Sequence, residues 1–253
     1  MSKYFYSLFC CVLISSCVSK KEILYLQDAD QYANEEIVYS DARILPNDVL
    51  RINVSALVPE SAIPYNKVSS GTGSSGSVSL LQLDGYLVSE DLTINFPVLG
   101  VLSVANMTTQ DFAVYLKGLL EDGNHLKKPT VDVRLINAKV TILGEVSQPG
   151  TYSFTEQNIT LLQALGYAGD LNISGEREDI LIMRDEEGIR KITHIDLTSA
   201  DWLDGPYNFI KPNDVIIVNP NNPKVKSAGF IGNVGTVISV VSILLTTVVL
   251  ITK

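Results

Sequence analysis

The chain has 253 residues, with 28 acidic against 19 basic side chains and a formal net charge of -9. A sequence pI near 4.7 excludes broad electrostatic attraction to nucleic acid, because phosphate binding rests on clustered Lys and Arg. The length allows one large or two small domains, and a mean hydropathy of +0.20 is high for a soluble chain, with the excess at the two ends.

The chain begins MSKYFYSLFCCVLISSC. Lys3 supplies a positive start and Tyr4 to Ile14 a short apolar run. A bilayer core of about 30 Å needs about 20 residues to cross it, so this run fits a secretory signal better than a span. Ile14-Ser15-Ser16-Cys17 resembles a bacterial lipobox, in which small residues give the lipidating enzyme access to the cysteine. The expectation is a signal peptide over 1–16 and a linker over 17–41 that carries lipid on Cys17. Cys10 and Cys11 fall in the discarded part, so the three cysteines make no disulfide framework.

Between the two apolar ends, short strand-like runs alternate with turn signals. ILPNDVLRINVSALVPE carries a Pro-Asn-Asp turn at 46–48 and then alternates as a strand. VSSGTGSSGSVS, from Val68 to Ser79, is Gly/Ser-rich and reads as a flexible loop; it lacks the Lys-Ser/Thr ending of a phosphate-binding loop. Asp84-Gly85 is a favoured hairpin pair. In MTTQDFAVYLKGLLEDG, Phe112, Tyr115, Leu116, Leu119 and Leu120 recur with helical spacing, with Thr108 and Asp111 to cap the start and Gly123 to stop it. Val131, Val133 and Leu135 alternate with Asp132 and Arg134 as a half-buried strand. Gly144 leads into a Pro149-Gly150 turn. NITLLQALGYAGDL reads as a second helix packed through Leu161, Leu162, Leu165 and Ala168. A hairpin around Glu187-Gly188 and a closing strand in IKPNDVIIVNP complete the middle. Strand-rich units with segregated helices predict an α+β fold.

From Gly229 to Ile251 there is no charged residue. A helix over that run would be about 34 Å long, enough to cross a bilayer, so one C-terminal transmembrane helix is expected over 225–252. Gly229, Gly232, Asn233, Thr236, Ser239, Ser242 and Thr246 fall in one sector, and Val234, Val237, Val241, Leu244, Leu245 and Val248 in the other. The small, weakly polar sector suits either a subunit contact or a water-filled lumen.

LPNDVLRINV, LDGYLVSEDLTINFPVLGVLSVANMTTQDFAVYL and PTVDVRL resemble the export domain of the outer-membrane polysaccharide export, Wza-like, family. AKVTILGEVSQPGTYSFTEQNITLLQALGYAGDL resembles the SLBB, or soluble-ligand-binding β-grasp, domain that follows it in that family. The family pattern is met by Asp84-Gly85, by Pro97 and Gly100, by Gly144 with Pro149 and Gly150, and by Ala168-Gly169. Asp170 replaces the last glycine of the pattern, and Asn47 stands where the family has glycine between proline and aspartate; both residue types tolerate turn geometry. The resemblance implies an export domain over 42–137 and an SLBB domain over 138–220. It further implies an oligomeric ring in the outer membrane of a Gram-negative bacterium, lipid-anchored and mainly periplasmic. Such a ring passes capsular or extracellular polysaccharide, is driven by an inner-membrane co-polymerase and needs no cofactor.

The sequence favours no enzyme. It holds two histidines, His125 and His194, and no His/Cys cluster of metal-ligand spacing. Carboxylate pairs Glu90-Asp91 and Glu186-Glu187 stand at turns, where such pairs are solvated. The alternative is a periplasmic carbohydrate-binding or structural lipoprotein that makes no pore and meets sugar through Tyr152, Phe154 and Tyr167, which equally suit a core.

Overall fold

The computed structural model describes residues 21, 23–33, 36, 37, 39, 41–67, 85–186, 188–227 and 234–251. The Gly/Ser-rich stretch over 68–79 and residues Cys17, Asp84, Glu187, Gly229 and Gly232 lie outside them.

The first unit is built on β1 (Val49–Ser55), the centre of a three-stranded antiparallel sheet between β2 (Tyr86–Leu87) and β5 (Thr130–Leu135). Leu50, Ile52 and Val54 are buried while Arg51, Asn53 and Ser55 are exposed, the period-two consequence of covering one face of a pleated strand. A separate hairpin joins β3 (Thr93–Phe96) and β4 (Gly100–Ser103). Helix α1 (Thr109–Asp122) closes the core with Phe112, Ala113, Leu116 and Leu120. Its capping box is the expected one: Asp111 N–H donates to Thr108 Oγ1 and Thr108 N–H to the Asp111 carboxylate, each at 3.1 Å. Tyr115, expected in the buried stripe, is 39% exposed, and Ala113 takes its place. Gly123 ends the helix at an ordinary φ of -73°; a Cβ there would stand 2.5 Å from the His125 ring.

The second unit is a five-stranded sheet of β6 (Lys139–Gly144), β7 (Gly150–Ser153), β9 (Gly175–Glu186), β10 (Ile189–Ile195) and β12 (Val215–Pro220). Its order is β10-β9-β12-β6-β7, parallel only between β12 and β6. A two-stranded ladder of β8 (Ile159–Thr160) and β11 (Phe209–Ile210) leads into helix α2 (Leu161–Tyr167). Val140, Ile142, Ile180, Ile182, Ile216 and Val218 from the sheet bury against Leu161, Ala164 and Leu165. Leu162, expected in that core, is 37% exposed. Both units are α+β.

Helix α3 (Asn222–Ser227) precedes α4 (Val234–Ile251). The crossing helix is expected from Gly229, which lies outside the described residues. The described part of α4, Val234–Ile251, measures about 27 Å, and among the described residues no helix is long and apolar enough to cross a membrane.

Candidate functional site

The signature positions divide by what the backbone asks of them. Leu45-Pro46-Asn47-Asp48 closes a turn with Asp48 N–H donating to the Leu45 carbonyl at 3.2 Å, and Asn47 takes a φ of 67°. That is the third position of a turn with Pro second, where glycine or asparagine is needed. The Asp48 carboxylate returns the bond, accepting from Leu45 N–H at 2.8 Å. Lys211-Pro212-Asn213-Asp214 repeats this in the second unit: Asn213 has a φ of 69°, the Asp214 N–H donates to Lys211 at 3.2 Å, and Asp214 accepts from Lys211 N–H at 2.9 Å. Each turn launches a central strand, β1 or β12. The signal was in the sequence as a twice-used Pro-Asn-Asp before a Val-rich run.

The two aspartates differ in company. Both are buried. Arg184 reaches Asp214 through Nε at 3.0 Å and Nη2 at 2.6 Å, and also donates to the carbonyls of Pro206 and Phe209 at 3.0 and 2.9 Å. Burial pushes the Asp214 carboxyl up and the guanidinium opposes it. Among the described residues no cation pairs with Asp48, and burial pushes its carboxyl up to about 6.

Gly85 does not take the positive φ of a two-residue Asp-Gly hairpin. It is glycine for space: a Cβ would stand 2.2 Å from Val49 Cγ1 where β2 meets β1. Pro97, Val98 and Leu99 form the β3–β4 tip, where Leu99 N–H donates to Pro97 O at 2.7 Å; Val98 and Gly100 have φ of 67° and 76°. Gly100 answers a backbone demand, since nothing lies within 4 Å of its would-be Cβ.

In the second unit Gly144 combines both demands. Its φ is 91°, and a Cβ would stand 2.0 Å from the Val218 carbonyl oxygen. The turn that follows is longer than expected. Residues 145–149 connect the strands, Pro149 ends that loop, and Gly150 is already in β7, paired with Ile142. The loop is stitched to the end of α2: Ser147 N–H donates to Asp170 O at 3.0 Å, Gln148 N–H to Ala168 O at 2.8 Å, and Asn172 N–H to Glu145 O at 3.0 Å. Gly169 and Asp170 have φ of 73° and 71°, so Asp170 occupies the left-handed position that glycine holds in the family pattern.

The remaining candidates are dispersed. Phe154 is buried core, and Tyr167, 40% exposed, stacks on the partly buried Tyr152 with ring centres 6.2 Å apart. His125 lies in the first unit, with Nδ1 3.2 Å from the Tyr65 hydroxyl, and His194 lies on β10 in the second, beside Asp179. Glu90 and Asp91 are exposed, and Glu186 is held down to about 2 by its bonds to Lys191 and Lys211. Among the described residues no group of three or more His, Cys, Asp or Glu could hold a metal. An open pocket of about 370 Å³ lies between Asp28, Gln31, Tyr32, Ala33, Ala200, Asp201 and Asp204. On helix α4, Ser239 and Thr246 are exposed and donate to the carbonyls of Gly235 and Ser242, both at 2.7 Å; Thr236 lies on the same helix.

Among the described residues the signature positions are turns that bound strands, and comparison with known proteins says which family carries them. Residues 37–136 match the model of the polysaccharide biosynthesis/export protein family, and residues 138–218 match the SLBB domain. The chain therefore belongs to the outer-membrane polysaccharide export family in its SLBB-bearing form. Similar proteins include the EPS I polysaccharide export outer membrane protein EpsA of Ralstonia solanacearum, 27% identical over 199 residues that cover 76% of this chain and 51% of that protein. The EpsA protein of Ralstonia nicotianae is 32% identical over 154 residues, covering 56% of this chain and 38% of its own length. The chain thus spans about half or less of these relatives.

Proposed function

We propose that this chain is a lipid-anchored protein of the Gram-negative outer membrane, mainly periplasmic, that assembles as a homo-oligomeric ring and conducts capsular or extracellular polysaccharide outward. The observation that carries this reading is the order of the two matched domains, over 37–136 and 138–218. The names of the relatives, both export outer membrane proteins, point the same way. In this reading the chain itself catalyses nothing. An inner-membrane co-polymerase or export complex supplies and pushes the glycan, and weak contact at many places lets the polymer move without sticking. Cys17 carries the lipid.

Helix α4 belongs to the membrane part of this reading. Ile238, Val240, Ile243 and Leu250 are exposed on it, between 49% and 73%. A helix so apolar in water needs lipid or further copies to cover it. The hydroxyls of Ser239, Thr246 and Thr247 are already spent on backbone carbonyls four residues earlier, which lowers the cost of removing them from water. In this reading the helix is one stave of a ring rather than a lone anchor. Gly229, Gly232, Thr236, Ser239 and Thr246 are assigned to the lumen or the neighbouring subunit.

Electron microscopy of the detergent-extracted chain tests the ring: closed particles with a lumen are expected, and a monomer would favour a carbohydrate-binding lipoprotein without a pore. Deletion should leave polysaccharide synthesised but absent from the cell surface.

A further inference from the structure

The five-stranded SLBB sheet buries one face and leaves the other apolar. Val140, Ile142, Ile180, Ile182, Ile216 and Val218 point into the core. The period of two turns their neighbours outward, and the register sets those neighbours in rows across the strands. Ile192, Met183 and Val215 stand abreast, and Leu181, Ile217 and Leu143 form the next row. None of these six is buried, and Ile192 and Leu143 are 55% and 42% exposed. A sheet with one face in water ordinarily carries polar residues on that face. Here they stand at its border: Thr141 and Thr151 bonded to each other at 3.0 Å, Arg190 on Asp185, His194 beside Asp179, and Lys139 two residues before Thr141. A contiguous apolar face inside a polar border has the anatomy of a protein contact.

The export domain carries a surface that fits it. Helix α1 buries Phe112, Ala113, Leu116 and Leu120, and Val114, Gly118 and Asp122 share its opposite side at four-residue spacing. Val114 is 64% exposed, and a Cβ on Gly118 would meet nothing within 4 Å. With Asp122 set at Lys139 and the helix laid along the strands, Gly118 falls about 6 Å and Val114 about 12 Å further on. The two apolar rows lie about 7 and 13 Å from Lys139 along the strands. Gly118 thus comes over Val215, where its missing side chain leaves a hollow, and Val114 comes over Ile217. Lys139 meets the acidic Glu121-Asp122 end of the helix, where the helix dipole also favours a cation. Among the described residues Lys139, Glu121 and Asp122 make no ion pair of their own.

We propose that the outer face of the SLBB sheet is covered by helix α1 of a neighbouring copy of this chain. The inference rests on the ring reading. The two surfaces differ and belong to different domains, so each copy gives a helix to one neighbour and a sheet to the other. A head-to-tail contact of this kind closes into a ring where its rotation permits, whereas sheet against sheet stops at a dimer. The contact takes both aliphatic rows out of water, which is its driving force, and the Lys139 pairing sets its register.

Disulfide cross-linking of the full chain in detergent tests this, with Gly118→Cys and Val215→Cys as probes and the parent chain as the control for its own cysteines. Oxidation of the double variant should give a ladder of covalent oligomers on non-reducing gels. The two single variants, co-expressed, should give dimers and nothing larger. Dimers from Val215→Cys alone would mean that sheets meet face to face, and a bond from Val215→Cys to Ser239→Cys would give the face to helix α4; either result overturns the inference. Closed particles in the electron microscope without a 118–215 bond overturn it while leaving the ring reading intact. A chain that forms no closed particle overturns the ring reading and this inference with it. Lys139→Glu and Asp122→Lys should each lose the ring, and the two together should restore it. Rings that survive both single changes, or a double variant that stays apart, overturn the register.

Discussion

Asp48 and Asp214 sit in matching turns, yet among the described residues Asp214 has a guanidinium beside it and Asp48 has none, so Asp48→Asn is an informative change. The Asp48 side chain is 2% exposed, and its carboxyl moves from 3.8 to about 6 on folding. A carboxyl raised by folding binds its proton more tightly in the folded chain. Its stabilising share is therefore full below pH 4 and is lost as the pH climbs through about 6. The displacement corresponds to about 3 kcal/mol between those limits. Asparagine keeps an oxygen to accept the Leu45 N–H, now at 2.8 Å from Asp48, and does not ionise. Relative to the parent, Asp48→Asn should therefore gain stability as the pH is raised from 4 to 7.5, by up to about 3 kcal/mol, with a plateau above pH 7. Hydrogen exchange of the β1 peptide across that range is the assay, because Val49 follows the turn directly. Trp202 is the single tryptophan and lies in the SLBB core, so its emission reports the other domain and should not respond. A stability difference that is the same at pH 4 and pH 7.5 would refute the reasoning: Asp48 would then not be a buried carboxylate lacking compensation.

Three further outcomes follow from the geometry. Gly144→Ala must place a methyl 2.0 Å from the Val218 carbonyl at a φ of 91°; it should destabilise the SLBB domain by about 4 kcal/mol or more, whereas Gly150→Ala, whose Cβ would meet nothing nearer than 3.7 Å, should cost about 1 kcal/mol or less, both read from Trp202 emission in urea. Arg184→Ala leaves the Asp214 carboxylate buried without its partner and should cost about 3–5 kcal/mol, again by urea titration; a neutral result would mean that the pair adds nothing beyond packing. On helix α4, Ser239→Asp should be tolerated better than Val241→Asp in membrane extraction and ring assembly, since a charge facing lipid costs about 3 kcal/mol and less where water reaches it; equal losses would remove the lumen or subunit assignment of that sector.

Much of the local structure was legible because the forces that make it act within a few residues. Thr108 and Asp111 announce a helix start through bonds that span three positions, and the alternation of β1 follows from one buried face. Pro46-Asn47-Asp48 declares its turn because Pro and Asn pre-set the two backbone conformations it needs. The order of such signals also carried the family. The reasons for several glycines were not legible, because they depend on strands distant in sequence: Gly85 yields to Val49, Gly144 to Val218. The C-terminal sequence read as a span over 225–252; a helix is described on Val234–Ile251 of it, and among the described residues no helix is long and apolar enough to cross a membrane. Pairings over 30 to 172 residues, Arg184 with Asp214 and Asp28 with Ala200, were decided by tertiary structure alone. Closing such loops costs entropy that no local pattern records; only the packed sheet, with β12 between β9 and β6, brings those partners within bonding distance.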